Sequence, residues 1–416
     1  MERYDLVVVG GGFSGVCASI ASARRGLKVL LIEKGNALGG ASVHSLVNPF
    51  MPYSTKINGK EAVLCGGIFS EIVLHLKERG DSDGYSFLEE GLKLILNEMV
   101  LESGAKLLFH SYLCGAQAQD GKITSVSVAT RSGVIDISAD YFIDATADAT
   151  LTFLAGFPTT LGRESDSLCQ PMTLCFRLGN VDVERFFASW ERLKTAHRVA
   201  LESGELINPR ENILVFKMPA EGVLHFNTTR VIKKNPTSPH ELTEAEIIAR
   251  RQVDEIYTLM KKHADGLENS FLMMTGAEIG IRESRQIVGE YTLKESDLRT
   301  FRKFDDAISS CNYDIDIHNP EGTGTSHYYF PEGEYYTIPY RSLIPRGSKN
   351  MLAVGRCISS DHESQASYRI MPTVASIGEA GGTAISLVQK SRTCVSEVDI
   401  KSLQNALKQN GAFIGI

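Results

Sequence analysis

A glycine-rich turn between a short apolar strand and a helix constrains this sequence more than any other feature. Residues 6–9 form a buried apolar run, Gly10-x-Gly12-x-x-Gly15 follows it, and residues 13–25 read as a helix. Gly10 permits a tight turn, Gly12 lets a pyrophosphate approach the backbone, and Gly15 lets the helix pack closely on the strand. Since the start of a helix offers free N–H groups and a partial positive charge, the turn predicts a site for a dinucleotide diphosphate.

Glu33 stands 18 residues after the third glycine, at the end of a second strand over 28–32, where its carboxylate suits ribose hydroxyls. Two further features favour FAD over NAD as the dinucleotide. A second glycine pair, Gly39-Gly40, follows soon after, and a late apolar strand over 351–355 leads into another Gly-containing helix. An NAD-only dehydrogenase does not need this second strand and Gly-containing helix near the C-terminal end. We therefore expect an FAD-binding domain built from both ends of the chain.

The fold class that this pattern predicts is α/β, with a Rossmann-like FAD-binding domain of parallel sheet and β-meander. At 416 residues the chain is long enough for two or three domains. We expect residues 1–160 to form the N-terminal part of the FAD-binding domain and 161–340 an inserted α+β substrate domain. Residues 341–416 would then complete the FAD-binding domain and add a tail helix.

Hydrophobic periodicity and turn residues predict the remaining elements. The segment 312–345 is rich in Tyr, His and Pro and shows little periodicity. A capping box at Thr243-Glu244-Ala245-Glu246 is expected to open a helix that ends near Lys262. Helices are also predicted over 69–79, 85–103 and 373–390, and strands over 107–110, 123–129, 134–138, 141–145, 173–178, 213–217 and 223–228.

Charge and cysteine usage narrow the possible partners. The chain has 43 basic and 50 acidic residues, a formal charge of −7, so no basic excess exists to hold nucleic acid or an anionic membrane. No apolar run approaches the roughly 20 residues of a membrane span, and Met1–Asp5 shows no leader pattern. The eight cysteines are scattered without a C-x-x-C pair, which argues against iron–sulfur, zinc and disulfide frameworks. A cytoplasmic setting is therefore expected.

Several segments spread over nearly the whole chain carry a family resemblance. They are the N-terminal glycine motif, Phe142-Ile143-Asp144-Ala145-Thr146, Gly280-Ile281-Arg282-Glu283-Ser284-Arg285 with Gly289-Glu290-Tyr291, Ile338-Pro339-Tyr340-Arg341-Ser342-Leu343, and Gly355-Arg356-x-Ile358-Ser359-x-x-His362 with Arg369-Ile370-Met371. With these segments the chain resembles the FAD-dependent oxidoreductases. Within them it resembles a bacterial, mostly uncharacterised subgroup related to the succinate dehydrogenase and fumarate reductase flavoproteins.

The resemblance implies which residues bind FAD. The family's Ala-Thr-Gly-Asp is Ala-Thr-Ala-Asp here, so Ala147 puts a methyl group where the backbone approaches the cofactor. A positive helix end near Met371 would stabilise the charge of the reduced flavin. The implied cofactor residues are Gly10, Gly12, Phe13, Ser14 and Gly15 at the first turn, Glu33 and Lys34 near the ribose, Gly39, Gly40 and Ser42 in the second glycine loop, Ala145 and Thr146, and Gly355, Arg356, Ile370 and Met371 near the C-terminus.

Substrate chemistry needs residues beside the flavin that can anchor a substrate or move a proton. The resemblance to the fumarate reductase relatives implies that His362 and Arg369 lie in the substrate pocket. Their alternatives are a core histidine and an arginine paired with Glu363. Arg282 and Arg285 would share a face if helical. There they would bind an anionic substrate, steady the flavin loop or form ordinary salt bridges.

A second candidate group is Asp314-x-Asp316-x-His318, whose side chains would point the same way from one strand. It could be a histidine with an orienting carboxylate, a metal face or a polar strand edge. The aromatic and basic stretch that includes His327 and ends at Tyr340-Arg341 would line a pocket for a ring or sugar, or form a domain interface. His318 and Arg341 therefore join His362 and Arg369 as catalytic candidates, and no metal is expected.

Two residues near the glycine loops raise the question of covalent chemistry. His44 follows the second glycine loop, and some flavoproteins attach FAD through a histidine in that region. Cys65 precedes Gly66-Gly67 and could supply a thiol, although burial is the simpler reading for both side chains.

The function expected from these features is an FAD-dependent oxidoreductase. It would transfer a hydride between flavin N5 and a small polar, anionic or sugar-like substrate held between the two domains. The electron acceptor or donor is left open. The alternatives are a flavin-bearing electron-transfer subunit that needs a protein partner and a nicotinamide-dependent reductase.

Overall fold

The computed structural model describes residues 3–415. Met1 and Glu2 belong to the segment Met1–Asp5, for which the sequence shows no leader pattern, and they lie outside the described residues. Short 3₁₀ turns occur at Tyr340–Leu343 and Val395–Glu397. The strands are β1 Tyr4–Val9, β2 Val29–Ile32, β3 Ser54–Ile57, β4 Lys60–Val63, β5 Lys106–Leu108, β6 Tyr112–Gln119, β7 Lys122–Thr130, β8 Gly133–Asp144, β9 Thr159–Leu161, β10 Phe176–Gly179, β11 Val215–Lys217, β12 Leu224–Phe226, β13 Phe271–Thr275, β14 Arg285–Ile287, β15 Ala307–Cys311, β16 Ile315–His318, β17 Thr325–Tyr328, β18 Tyr336–Pro339 and β19 Met351–Ala353.

Helices form many of the connections between the strands. The helices are α1 Phe13–Ala23, α2 Ala41–His44, α3 Ile68–Glu78, α4 Glu89–Glu102, α5 Thr150–Leu154, α6 Val183–Ala188, α7 Trp190–Glu202, α8 Pro239–His263, α9 Glu295–Arg299, α10 His362–Tyr368, α11 Met371–Ser391 and α12 Ile400–Gln409. Among residues 3–415, none of these helices is both long and apolar enough to cross a membrane.

The central sheet joins both ends of the chain, and its class is α/β as predicted. Strands β5, β2, β1, β8 and β19 pair in parallel in that order. The C-terminal half of β8 pairs with β1 and β19, while its N-terminal half pairs antiparallel with β7 in the meander β6–β7–β8. One twelve-residue strand therefore replaces the two strands expected at 134–138 and 141–145.

Helix α1 is held against the sheet by a second helix from the far end of the chain. An added Cβ at Gly378 would lie 2.1 Å from Ser14 O, and one at Gly382 would lie 2.2 Å from Ala18 O. These contacts require the backbones of α1 and α11 to touch, which only glycine permits at the two positions. The N-terminus of α1 is thereby fixed beside the carboxyl ends of the strands.

A second group of elements forms a sheet and a core of its own. Strands β11, β12, β10 and β13 form a four-stranded antiparallel sheet. Apolar residues between Met172 and Ile279 form a core cluster of their own, which includes one face of α8. The domain boundaries near residues 160 and 340 stay a prediction.

One local prediction is wrong. Helix α8 begins at Pro239 rather than at Thr243, because the Ser238 side chain caps it and proline at the first turn suits a helix start. The shared helical face considered for Arg282 and Arg285 does not arise, because Arg282 lies in a loop and Arg285 in β14. The segment 312–345, which shows little periodicity, contains the β16–β17 hairpin and β18.

Candidate functional site

A cleft runs along the carboxyl ends of β1, β2, β8 and β19, beside the N-terminus of α1. It encloses about 1350 Å³ free of protein atoms, part of it open to solvent. This is the position where open α/β sheets bind their ligands. All of the predicted cofactor residues line the cleft except Gly15 and Ile370.

The first glycine turn forms the floor of the cleft. Gly10 has a φ of +108°, and a Cβ on it would lie 2.3 Å from Ala145 O. A Cβ on Gly15 would lie 1.8 Å from Gly10 O, so Gly15 lets α1 begin directly above the turn. For a Cβ on Gly12, the nearest atom would be Gly40 Cα at 3.9 Å. Gly12 therefore keeps open space on the cleft side, where a diphosphate needs the backbone to be accessible.

The second glycine loop lies directly on the first. Gly39 N–H donates to Gly11 O (2.8 Å), and Gly12 pairs with Gly39 as an isolated parallel bridge. Gly40 has a φ of +56°, and a Cβ on it would lie 2.9 Å from Gly12 Cα. The Ser42 hydroxyl donates to Gly39 O (2.8 Å) and holds the loop closed. The two turns therefore form one glycine-lined surface.

Glu33 is fixed at the end of β2 with its carboxylate on the cleft. Its Oε2 accepts from Gly11 N–H and its Oε1 from Gly35 N–H, each at 2.6 Å. Beside it Lys34 forms an ion pair with Glu278 (2.8 Å) across the cleft mouth. No sequence pattern marked Glu278, Ile279 or Ile281, which line the cleft from a loop far along the chain.

The turn after β8 closes the next part of the cleft. The Asp144 carboxylate accepts from the backbone N–H groups and hydroxyls of Thr146 and Thr152 at 2.7–3.1 Å. Ala147 has a φ of +69°, a region that glycine reaches without strain. Its carbonyl accepts from Arg356 Nε (3.2 Å), and Arg356 Nη2 pairs with Asp148 (2.6 Å). The alanine at this family glycine position is thus accommodated, and Arg356 ties the turn to the C-terminal strand.

The C-terminal segment supplies the far end of the cleft. Gly355 has a φ of +89°, and a Cβ on it would lie 2.7 Å from Ser14 Oγ. Met371 and Val374, at the start of α11, line the cleft, whereas Ile370 caps α11 and is buried beside it. Arg369 lines the same end.

His44 and Cys65 occupy different environments. His44 lines the cleft at the end of α2, and its Nε2 lies 3.1 Å from Ala37 O. Cys65 is 1% exposed, and burial raises the pKa of its thiol to about 12. The Cys65 thiol therefore stays protonated near neutral pH, and covalent attachment through His44 stays a hypothesis.

Beyond Arg369 lies a buried group of charged side chains centred on Asp316. The Asp316 carboxylate is 3.0 Å from Tyr313 Oη, 3.4 Å from His318 Nε2, 3.5 Å from His327 Nε2 and 3.8 Å from Arg369 Nη2. Burial alone would raise the pKa of Asp316, but the hydrogen bond from His318 and the nearby positive charges lower it. Asp316 is therefore an ionised acceptor shared by several donors.

His318 is held in one neutral tautomer. Its Nδ1 lies 3.2 Å from Arg230 Nη2 and 3.4 Å from Arg210 Nη1. Because arginine only donates, Nδ1 must accept, and the proton lies on Nε2 toward Asp316. Burial, and then the charge of Arg282, lower the pKa of His318 well below its usual value. Asp316 and His318 of the predicted Asp-x-Asp-x-His group do meet. Asp314 does not join them, and its carboxylate instead accepts from Phe330 N–H (3.0 Å).

His362 forms a separate buried pair outside the cleft lining. Its Nδ1 lies 2.8 Å from the Glu283 carboxylate, which also accepts from Gln170 N–H (2.8 Å). Burial lowers the pKa of His362, but the hydrogen bond and charge of Glu283 outweigh this and raise it above the usual value. This pair holds the backbone next to Arg282.

Arg341 lies outside the cleft lining. Its Nε and Nη2 donate to the Asp306 carboxylate at 2.8 and 3.2 Å, and about half of its side chain is exposed. The catalytic roles predicted for His362, Arg369, His318 and Arg341 stay predictions. Within residues 3–415, no group of three or more His, Cys, Asp and Glu side chains is arranged to hold a metal ion.

A parallel sheet with a glycine-lined cleft at its strand ends defines a dinucleotide-binding protein of the Rossmann type. The family described as FAD dependent oxidoreductase matches residues 5–407, so the chain belongs to that family. It is an enzyme of the oxidoreductase class, and its cofactor is FAD. The open face of Gly12, the glycine cradle and the Glu33 carboxylate fit this cofactor.

Two of the curated relatives are reductases that match only part of this chain. The digeranylgeranylglycerophospholipid reductase of Thermoplasma acidophilum is 26% identical over 44% of this chain and 49% of its own length. The vinyl phenol reductase of Lactiplantibacillus plantarum is 35% identical over 20% of this chain and 16% of its own length. The chain spans about half the length of the first of these relatives. The relation to succinate dehydrogenase and fumarate reductase stays a prediction.

A solved structure of a geranylgeranyl bacteriochlorophyll reductase-like protein from Thermoplasma acidophilum is also similar. It covers 98% of this chain and 84% of its own, with 15% identity and a TM-score of 0.49.

Proposed function

We propose that this enzyme transfers a hydride between N5 of FAD and a small polar substrate bound at the Arg369 end of the cleft. Bound FAD supplies the two-electron chemistry. The observation that carries the proposal is the position of Arg369, which lines the cleft and also contacts the buried Asp316 group. The cleft is therefore lined by backbone donors at the glycine turns and by charged side chains at the Arg369 end.

In this proposal Arg369 anchors the substrate directly. The Arg369 Nε is buried and has no hydrogen-bond partner among the described residues. Asp316, 3.8 Å from its Nη2, orients the guanidinium. His318 and His362 lie behind this surface, so we propose that they position Asp316 and the backbone beside Arg282, respectively.

The test is anaerobic bleaching of the FAD absorbance by a panel of sugars, hydroxy acids and amines. Because both named relatives are reductases, the pre-reduced protein is also mixed with unsaturated acceptors and its reoxidation followed. We expect at least one compound to change the flavin redox state. Arg369→Met should slow that change at least tenfold while FAD content stays equal. Arg185→Gln, which removes an exposed arginine paired with Glu268, is the matched control.

The second candidate is an electron-transfer subunit that needs a protein partner. It is favoured by the edge strand β13, where Phe271, Leu272, Met273 and Met274 are 39–54% exposed. Exposed apolar edges of sheets are rare unless another surface covers them. If no small molecule changes the flavin redox state but a protein reductant does, this second function replaces the first.

A further inference from the structure

The buried side chains next to the cleft carry more positive than negative charge. We call the side chains of Arg177, Arg210, Arg230, Arg282 and Arg369, with Glu89, Glu211 and Asp316, the arginine cluster. Arg177 pairs with Glu89, Arg230 with Glu211 (3.1 Å) and Arg369 with Asp316 (3.8 Å). Within the described part of the chain, Arg210 and Arg282 have no carboxylate within ion-pair distance.

Neutral groups satisfy Arg282 without balancing its charge. Its Nη1 donates to Pro171 O (2.7 Å) and Thr173 Oγ1 (2.5 Å), and its Nη2 to Asn227 Oδ1 (3.3 Å). Arg210 donates to Asn212 Oδ1 (3.0 Å) and to neutral His318. Hydrogen bonds of this kind hold the guanidinium groups in place and leave two positive charges uncompensated.

Arg282 also lies close to the cleft end. The Gln365 side chain donates to Arg282 O (2.7 Å), and Gln365 lies in α10, which Arg369 caps at its C-terminal end. Ile281, the residue before Arg282, lines the cleft itself. The charge of Arg369 acts on the Arg282 guanidinium, so the two side chains lie within electrostatic range of each other.

The uncompensated charges are costly in this environment. Burial, and then the charges of Arg369 and Arg210, lower the pKa of Arg282 to about 9. A partly buried cation that lacks a counter-charge destabilises the folded protein unless an anion arrives. His318 cannot relieve the repulsion, because it is neutral and both of its ring nitrogens are engaged.

We infer that the substrate carries an oxyanion, a carboxylate or a phosphate, that binds at the Arg369 end of the cleft and is selected by the uncompensated charge of Arg282. This inference rests on the proposed function and adds the chemical class of its substrate. A neutral sugar or amine would leave the surplus charge of the arginine cluster unbalanced. An oxyanion would accept from the part of the Arg369 guanidinium that faces the cleft and offset the charges of Arg282 and Arg210.

The experiment uses FAD-loaded protein, so that the diphosphate site is filled, and unreactive probes. Binding of malonate, inorganic phosphate and glucose is measured by calorimetry and by perturbation of the flavin spectrum at constant ionic strength. We expect one or both anions to bind and glucose not to bind. Arg282→Met should weaken anion binding at least tenfold, about 1.4 kcal/mol. Arg185→Gln should leave it unchanged.

Arg282→Lys keeps the inference testable if the methionine variant does not fold. It preserves the charge but not the forked geometry, so it should weaken binding less than loss of the charge does. The malonate and phosphate arms distinguish a carboxylate from a phosphate ligand. The inference is overturned if neither anion binds the unmodified protein, or if Arg282→Met and Arg282→Lys bind the anions with unchanged affinity.

Failure of this inference is distinguishable from failure of the proposed function. If no small molecule changes the flavin redox state but anions bind through Arg282, the hydride transfer fails and the anion site stands. If an uncharged donor bleaches the flavin equally well in Arg282→Met, the hydride transfer stands and the anion site fails.

Discussion

The glycine-lined cleft and the arginine cluster lie side by side, and both are suited to negative charge by different means. The cleft offers backbone N–H groups and the start of α1, with no side chain at Gly10, Gly12 or Gly15. The arginine cluster offers guanidinium groups that hydrogen bonds hold in place. The cleft should therefore be sensitive to added volume, whereas the arginine cluster should be sensitive to a change of charge at constant volume.

The largest expected effect comes from a methyl group at Gly15. The Cβ of an alanine at this position would lie 1.8 Å from Gly10 O. Overpacking of a core typically destabilises a protein by up to about 3 kcal/mol, and we expect Gly15→Ala to exceed this value. Gly12→Ala has room within the protein, so it should keep the apoprotein stability and weaken FAD binding at least tenfold. Chemical denaturation and FAD titration measure the two effects. Equal stability of the two apoproteins would contradict the volume argument.

The second prediction changes charge without changing volume. Asp316→Asn keeps the shape but removes the one carboxylate that lies within ion-pair distance of Arg369 among residues 3–415, so it should destabilise the protein by about 3–5 kcal/mol. Asp314→Asn, two residues away, is the control. Its side chain accepts from Phe330 N–H, which an amide oxygen can still do, so the cost should stay below about 1 kcal/mol. Urea unfolding at pH 7 compares the two variants. Equal losses of unfolding free energy would show that the arginine cluster tolerates the loss of a negative charge.

The third prediction concerns a buried carboxyl without a paired cation. Glu379 is 1% exposed and accepts from Ile68 N–H (3.0 Å) and Asn410 Nδ2 (3.4 Å). Burial raises its pKa from 4.5 to about 7. A raised folded pKa gives stability that is fully present below the unfolded value and is lost as pH rises from about 4.5 through about 7.

Glu379→Gln removes that loss because the amide stays neutral. We expect the variant to be more stable than the unmodified protein by about 2–3 kcal/mol at pH 8 and nearly equal to it at pH 4.5. Unfolding free energies across this pH range provide the measurement. A constant difference at every pH would show that Glu379 ionises normally in the folded protein.

The smallest expected effect is at Arg341. Its pairing with Asp306 is half exposed, and exposed ion pairs contribute about 0–1 kcal/mol. Arg341→Gln should therefore cost less than about 1 kcal/mol, and it should leave anion binding and flavin reduction unchanged. A tenfold loss of either would place Arg341 in the substrate site, as the sequence alone suggested.

The two regions also differ in how far the sequence predicts them. Gly10, Gly12, Gly15 and Glu33 could be assigned because the turn, helix start and strand end are consecutive in the chain. The catalytic candidates were harder to assign, because the arginine cluster takes its residues from loops, strands and helix ends between positions 89 and 369. No local pattern marks Arg210 or Arg230 as partners of His318. The start of α8 was missed for a local reason, since Ser238-Pro239 caps better than Thr243.

The packing of α1 on α11 has a consequence for synthesis of the chain. Gly378 and Gly382 touch the backbone of α1 near Ser14 and Ala18, although about 350 residues of sequence separate the two helices. While the ribosome is still extending the polypeptide, α1 lacks this cover, and Arg356 and Met371 have not yet emerged. Loading of the flavin nucleotide therefore awaits synthesis of the segment through α11, so holoprotein formation reports on whether that segment was made and folded.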